Sequence, residues 1–335
     1  MNKKIRLSVI VCTYNRGQLI GDSLQSLVAQ TLDPALFEVI VIDNNSTDTT
    51  AERVQEFTGK YPHFHMIKEM EQGLSNARNR GWKEAKGEYV VYIDDDAKAS
   101  PNWCERILIN YDTVTPTPVV VGGQILPWHE CEPPIWFHES FEKASCGDNA
   151  KFLQPPLAHT GFSGSNMCFK KSLFTSYGGF STELGMIGNE TRMGEETELF
   201  LKIFEHEPYF WYDPQLIVYH WVPSRKMLIS YRMLRMYKVG YSDVLLRYNC
   251  AVDKKENAPY TFKPMYWRIR HIISSYMKPS LKLLFRFLTH PCRDTKKAFL
   301  VSYVRVLQAW SSFLGARKAI KDNKIHCSFI LHLDQ

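Results

Sequence analysis

The sequence predicts an α/β fold: a mixed, mostly parallel sheet flanked by helices, followed by a basic helical extension. Three observations predict it. Apolar runs of strand length alternate with amphipathic helical segments as far as Val121. Several of these runs end in polar clusters, most sharply Glu88-Tyr89-Val90-Val91-Tyr92-Ile93-Asp94-Asp95-Asp96. The charge is also split: residues 1–225 carry 20 Lys/Arg against 29 Asp/Glu, a balance of −9, and residues 226–335 carry 21 against 6, a balance of +15. Such halves suggest two tasks, an acidic cation-using site and a basic surface for phosphate-rich partners. They define two expected domains, 1–225 and 226–335.

Ile5 to Cys12 reads as a buried strand, with Asn15 expected to cap the helix that presents Leu19, Ile20, Leu24, Leu27 and Val28 on one face. Phe37 to Ile42 is a second buried strand ending at Asp43, and Thr49 with Glu52 fits a capping box for the next helix. Phe64 to Ile67 is a short strand, Leu74 to Ala85 keeps helical spacing, and Glu88 to Ile93 and Val119 to Val121 are further strands. Strands alternating with helices imply parallel pairing, with helices on both faces. Thr13, Asp43 and Asp94 to Asp96 then meet at one sheet edge, where open α/β sheets bind ligands. Residues from about 125 to 225 are irregular, proline-punctuated and rich in aromatics, which suits a substrate-binding layer of loops. Helical spacing returns at Met227, with further helices over Trp267 to Leu288, interrupted at Pro279, and Phe299 to Leu314.

The chain has 335 residues, 44% hydrophobic and 23% charged, enough to bury a sizeable core. Its eight cysteines include no C-x-x-C pair, which argues against a zinc ribbon and a disulfide scaffold. The short apolar stretch after Arg6 lacks a cleavage region, and no run of 18 apolar residues occurs. These features predict no signal peptide, no membrane-spanning helix and a cytoplasmic protein.

Three adjacent aspartates repel one another. A strand end tolerates them when a cation neutralises them, and hard divalent cations with oxygen ligands are often shared with a diphosphate. The motif alone also fits a solvated acidic turn.

Seven segments in order decide between the two. They are Val9-Ile10-Val11-Cys12-Thr13-Tyr14-Asn15-Arg16, Val41-Ile42-Asp43-Asn44-Asn45-Ser46-Thr47-Asp48, Gly73-Leu74-Ser75-Asn76-Ala77-Arg78-Asn79, the aspartate run, Gly164-Ser165-Asn166-Met167-Cys168-Phe169-Lys170-Lys171, Gly178-Gly179-Phe180, and Gly194-Glu195-Glu196-Thr197-Glu198-Leu199. Over residues 5 to 225 the chain resembles the family-2 inverting glycosyltransferases of GT-A fold. The resemblance implies a nucleoside-diphosphate sugar donor, a UDP-sugar first, with Mn²⁺ or Mg²⁺ as cofactor. Asp43 then reads the nucleotide base, unless it only caps the helix that follows. Thr13, Asn15, Arg16, Arg78, Asn79 and Asp95 line the nucleotide-sugar pocket. Asp94 lies on the ribose side and joins Asp96 in binding the metal, and His220 completes the metal shell or meets the diphosphate together with Arg225. Asn166 falls on the acceptor side. The pair Glu195-Glu196 matches the position of the general base, where many relatives have Glu-Asp. Glu196 is favoured as the base, with Glu195 against the acceptor.

The implied acceptor is a glycan or lipid-linked glycan in surface polysaccharide assembly. The basic tail interleaves Arg268, Arg270, Lys278, Lys282 and Arg286 with Trp267, Ile269, Ile272, Ile273, Tyr276, Leu281, Leu284, Phe285 and Leu288. That pattern suits an anionic membrane surface, giving a peripheral protein on the cytoplasmic membrane face. A helix packed on the catalytic domain and a homo-oligomer contact are the alternatives. No nucleic-acid-binding motif accompanies the charge. Rival functions are a sugar-1-phosphate nucleotidylyltransferase, although Cys12-Thr13-Tyr14-Asn15-Arg16-Gly17 makes a poor glycine-rich phosphate loop, and a non-catalytic membrane-bound scaffold.

Overall fold

A computed structural model of the protein describes residues 4–154, 162–186, 194–253 and 265–322. The chain divides into two units. One comprises Met1–Trp128, Glu142–Thr191 and Glu195–Trp221, and the other comprises His129–Phe141, Arg192–Gly194 and Val222–Gln335. The segment His129–Phe141, which lies inside the first expected domain, groups with the helical unit.

In the first unit, strands β1 (Leu7–Thr13), β2 (Phe37–Asp43), β3 (Phe64–Lys68) and β4 (Tyr89–Asp94) pair in parallel in the order β3-β2-β1-β4. All seven residues of β2 are buried, as a near-continuous apolar run requires when both sheet faces are covered. The pleat sends Val9 and Val11 into one core with α1 (Ile20–Val28), α2 (Thr50–Thr58) and α4 (Trp103–Thr113). It sends Ile10, Ile40 and Ile42 into the other core, with α3 (Leu74–Glu84), α5 (Ser172–Tyr177) and α6 (Glu195–Phe204).

The sheet is mixed. Beyond β4 it continues through β8 (Met167–Lys170), β6 (Val120–His129), β9 (Phe210–Val222) and β5 (Ala97–Ala99), with β7 (Lys151–Phe152) also on β9. The antiparallel pairs are β4–β8, β6–β8, β5–β9 and β7–β9. This half grows largely from the middle stretch that looked irregular. Two of its strands, β7 and β8, have only two and four residues, too few to display a period.

Two capping expectations are corrected. Asn15 is not an N-cap, because α1 begins five residues later, at Ile20, with Leu19 in the cap position. Thr49 precedes α2 without a side-chain cap, and no capping box forms. Asp48 takes the role instead, its Oδ1 accepting the Thr50 N–H at 3.0 Å while its Oδ2 accepts the Gly17 N–H at 3.2 Å.

The second unit holds α7 (Ile229–Asp253), α8 (Met265–Ile272), α9 (Lys278–Thr289) and α10 (Arg293–Asp322). The break foreseen at Pro279 appears as a π-helical turn over Ile273–Met277, with Pro279 in the first turn of α9. The side chains of Trp267 and Arg268 lie outside the described residues. Helices α7 and α10 approach closely at two glycines: a Cβ on Gly240 would sit 1.9 Å from the Ser312 carbonyl oxygen, and one on Gly315 1.8 Å from that of Tyr237. Among the described residues no helix is long and apolar enough to cross a membrane.

Gly81 sets the seat of α3 on β1. A Cβ there would lie 2.4 Å from the Ile10 side chain, so the helix rests directly on the strand. Gly81→Val is expected to lower unfolding stability by about 1–3 kcal/mol, through overpacking. Urea denaturation checks this, and an unchanged midpoint would mean that the contact carries no packing constraint.

Candidate active site

Register builds the site. Thr13 stands opposite Asp43, and Cys12 opposite Asp94, so β1, β2 and β4 release their polar ends side by side. Thr13, Asp43 and the aspartate run do meet at one edge. Asp43 is buried, and its Oδ1 accepts the Ser46 N–H at 3.0 Å. Asn15 has a positive φ of 53°, and its Oδ1 accepts the Thr47 N–H at 2.8 Å. The Asn15 N–H donates to the Ser46 hydroxyl at 3.0 Å, and the Arg16 N–H to that of Thr50 at 2.8 Å. These bonds tie the loop after β1 to the loop after β2. Asn44, which the sequence did not single out, is buried and brackets the next loop. Its Nδ2 donates to the Glu69 and Glu71 carbonyls, and its Oδ1 accepts the Gly73 N–H.

The antiparallel β5–β9 pair brings His220 to the aspartates. His220 stands opposite Ala97, the residue after Asp96, and the Trp221 N–H donates to the Asp96 carbonyl at 2.9 Å. His220 Nε2 then lies 3.4 Å from Asp94 Oδ2 and 3.3 Å from Asp96 Oδ1. Its Nδ1 is 3.1 Å from the Trp221 carbonyl oxygen. A carbonyl only accepts, so Nδ1 carries a proton and Nε2 is left to face the two carboxylates: protonated, it pairs with them, and neutral, it offers its lone pair to a cation held beside them. Three electron-rich donors within 4.8 Å of one another favour a cation among them. One imidazole with two carboxylates suits a divalent ion such as Mn²⁺, so the residues present fit the expected metal. The Ser165 hydroxyl, a site residue that sequence reasoning passed over, donates to Asp94 Oδ2. Burial raises the Asp94 pKa, but the hydrogen bond and charge of His220, with Arg78 and Ser165, outweigh it and hold the group well below its ordinary value. Asp95 is buried and 3.8 Å from Arg16 Nε. Burial and the neighbouring Asp96 push its pKa up to about 7 against the pull of Arg16 and Thr13.

A second charged cluster joins α3 to the first turn of α6. Arg78 is 3% exposed, and its Nη1 lies 2.9 Å from Glu195 Oε1 and 3.1 Å from Glu196 Oε1. Glycine at 164 leaves room for this cluster, since a Cβ there would meet Arg78 Nη2 at 2.1 Å and Glu196 Oε1 at 2.8 Å. Burial opposes the Arg78 charge, yet Glu196, Glu195 and Asp94 together raise its pKa above the ordinary value. Burial and Glu196 push Glu195 up to about 7, against Arg78. The two glutamates are not equivalent. The Glu195 side chain is 5% exposed, with Oε2 buried and unpartnered, while that of Glu196 is 22% exposed.

Two amides that the sequence assigned to the site are engaged within the fold. The Asn166 amide is engaged within the fold: its Nδ2 donates to the Gln124 and Leu216 carbonyls, its Oδ1 accepts from Trp103 Nε1, and the residue is buried. It has no free donor to offer an acceptor. Asn79 clamps Phe180, donating to its carbonyl and accepting its N–H, and also accepts from Trp82 Nε1. It anchors the Gly178-Gly179-Phe180 loop. Arg225 lies in the short 3₁₀ turn Ser224–Met227, within the other unit.

Residues 8–178 match the family described as glycosyl transferase family 2. Glucosyl-dolichyl phosphate glucuronosyltransferase of Haloferax volcanii is 30% identical over 257 residues, 75% of this chain and 81% of that protein. The mannosyltransferase PcManGT of Pyrobaculum calidifontis, in complex with GDP-Man and Mn²⁺, matches with a TM-score of 0.59 at 19% identity, over 96% of this chain and 88% of that one. TarS 1-349 of S. aureus, in complex with UDP, matches with a TM-score of 0.54 at 17% identity, over 91% of each. At these identities the two solved structures speak for the fold alone. The family match displaces the nucleotidylyltransferase alternative. The chain therefore belongs to glycosyl transferase family 2, and it is a glycosyltransferase of GT-A fold.

Proposed function

We propose that the protein moves a hexose-type sugar, with inversion, from a nucleoside-diphosphate sugar to a hydroxyl of a lipid-linked or free glycan. The observation that carries this reading is the pairing of two charged clusters at one sheet edge. A set of donors suited to a divalent cation, Asp94, Asp96 and His220, lies where its charges are felt by an arginine-held glutamate pair, Arg78 with Glu195 and Glu196. Asp94, Asp96 and His220 would hold Mn²⁺ or Mg²⁺, which would supply positive charge against the donor's diphosphate. Asp43 accepts from the base N–H, which favours uracil and hence a UDP-sugar. Thr13, Asn15, Arg16 and Asp95 shape the pocket around it. Precedents differ on the nucleotide: one structural neighbour binds GDP-Man and another UDP. The lipid-linked acceptor draws on the Haloferax relative, whose name specifies glucosyl-dolichyl phosphate. Surface polysaccharide or glycolipid assembly is the matching setting.

Glu196 is the base. Its carboxylate is the more exposed of the pair, and one of its oxygens lies 3.1 Å from Arg78 Nη1. The acceptor oxygen attacks the anomeric carbon, the hydroxyl proton passes to a Glu196 oxygen, and the bond to the diphosphate oxygen breaks on the opposite face. The electron pair leaves with the nucleoside diphosphate. Buried Glu195 positions Arg78, and the two carboxylates share its guanidinium.

Asp96→Ala is expected to reduce transfer roughly a thousandfold, through lost stabilisation of the leaving diphosphate. EDTA should do the same to the unaltered enzyme, and full activity in EDTA would overturn the metal assignment.

Glu196→Gln should still bind the sugar nucleotide in titration calorimetry while turnover falls by about 10²–10⁴. An active Glu196→Gln beside a dead Glu195→Gln would transfer the base role to Glu195.

The pH dependence follows from the pair. Because burial and Glu196 push Glu195 up to about 7, the rate should climb as pH rises through that region, where the pair loses a proton. Glu195→Gln removes one negative neighbour of Glu196, so the rising limb of kcat/KM should move to lower pH. A limb that stays in place would mean that the pair does not govern it.

A further inference from the structure

Helix α9 carries more apolar surface than its own unit covers. At 100° per residue, its apolar side chains fall into two adjoining arcs. Ser280, Leu283, Leu284 and Phe287 form the inward arc. Ser280 is buried, and the Phe287 ring stacks on Phe299 of α10 at 6.3 Å. Leu281, Phe285 and Leu288 form the second arc, and they are 62%, 70% and 67% exposed. Three large apolar side chains in one exposed stripe is not the scatter of single residues found on ordinary surfaces.

The neighbouring arc decides what the stripe fits. Lys278, Lys282 and Arg286 follow one another at four-residue spacing along the edge of the stripe, and all three are exposed. No acidic residue occurs anywhere from Lys278 to Thr289. A protein partner would need an apolar groove edged by acids. An anionic bilayer offers both features at once: acyl chains for the stripe, and lipid phosphates for long basic side chains that reach back to the headgroups.

We propose that α9 is an in-plane membrane helix, with Leu281, Phe285 and Leu288 seated in the acyl boundary and Lys278, Lys282 and Arg286 on anionic headgroups. This inference is independent of the catalytic reading, because it uses no residue of the sheet edge.

The test is co-sedimentation of the full chain with vesicles of phosphatidylcholine alone, and of phosphatidylcholine with phosphatidylglycerol. The chain should pellet with the anionic vesicles and be partly released by salt. Lys278→Glu/Lys282→Glu/Arg286→Glu should lower partitioning about a hundredfold or more, from the loss of about 1 kcal/mol per basic side chain. Leu281→Ser/Phe285→Ser/Leu288→Ser should remove the salt-resistant fraction. Because the substituted side chains are exposed, both variants should keep their melting midpoint and bind sugar nucleotide as before. Equal pelleting of either variant and the unaltered chain would overturn the proposal. So would a chain that stays in the supernatant. A salt-insensitive dimer in light scattering that the serine variant abolishes would likewise overturn it, assigning the stripe to a second copy of the chain.

Discussion

The site depends on one buried guanidinium. Asp94, Asp95, Asp96, Glu195 and Glu196 converge on one unit of the fold, and carboxylates this close repel one another steeply where water is scarce. Arg78 is the cation that reaches both glutamates, and its charge is also felt at Asp94. It is held from behind: its carbonyl accepts from the Tyr92 hydroxyl at 3.0 Å, and its guanidinium lies 5.3 Å from the Phe180 ring centre. A buried ion pair contributes little net stability compared with an apolar packing of the same volume. Its effect is to force α3, the first turn of α6 and the end of β4 to remain mutually placed, since losing one member leaves an uncompensated buried charge. Arg16 offsets Asp95 in the same way, at longer range. Five carboxylates face two arginines and one imidazole, and the remaining negative balance is what a divalent cation accompanying a diphosphate would offset.

Much of this was legible in the chain because parallel sheets write their strands plainly. A strand covered on both faces reads as an unbroken apolar run, and its polar terminus marks the ligand edge. Thus β1, β2 and β4, and the meeting of Thr13, Asp43 and Asp94, follow from short-range patterns. Contacts set by antiparallel register do not. Nothing local to His220 says that it faces Asp96, because that depends on β9 pairing with a three-residue strand. The Arg78–Glu195 pair spans 117 residues of sequence and follows only from the closed fold.

Asn79 and Asn166 show a related limit. A buried amide that satisfies backbone groups and an amide that binds a ligand are the same letter in the sequence. Only a count of hydrogen bonds separates them, and both amides are committed to the protein. Glu195 and Glu196 also look identical as adjacent acids. The difference arises because consecutive positions on a helix lie 100° apart, so α6 turns one into the interior and leaves the other partly exposed.

The charge split makes physical sense on these terms. An acid-rich sheet edge suits a bound cation, but it is repelled by any anionic surface within a Debye length of about 8–10 Å. A balance of −9 over residues 1–225 therefore works against approach to such a surface, whereas +15 over the remainder works for it. Placing both in one chain lets each region keep the charge its own task requires. The basic region still folds around apolar contacts: Arg232 is buried, 4.9 Å and 5.4 Å from the Phe137 and Phe141 ring centres, and donates to the Phe141 carbonyl. That cluster enlists His129–Phe141, a segment that leaves the sheet at the end of β6, so the helical unit is built from two separated stretches of chain. The aromatic core of this unit is therefore incomplete without residues supplied from the middle of the sequence.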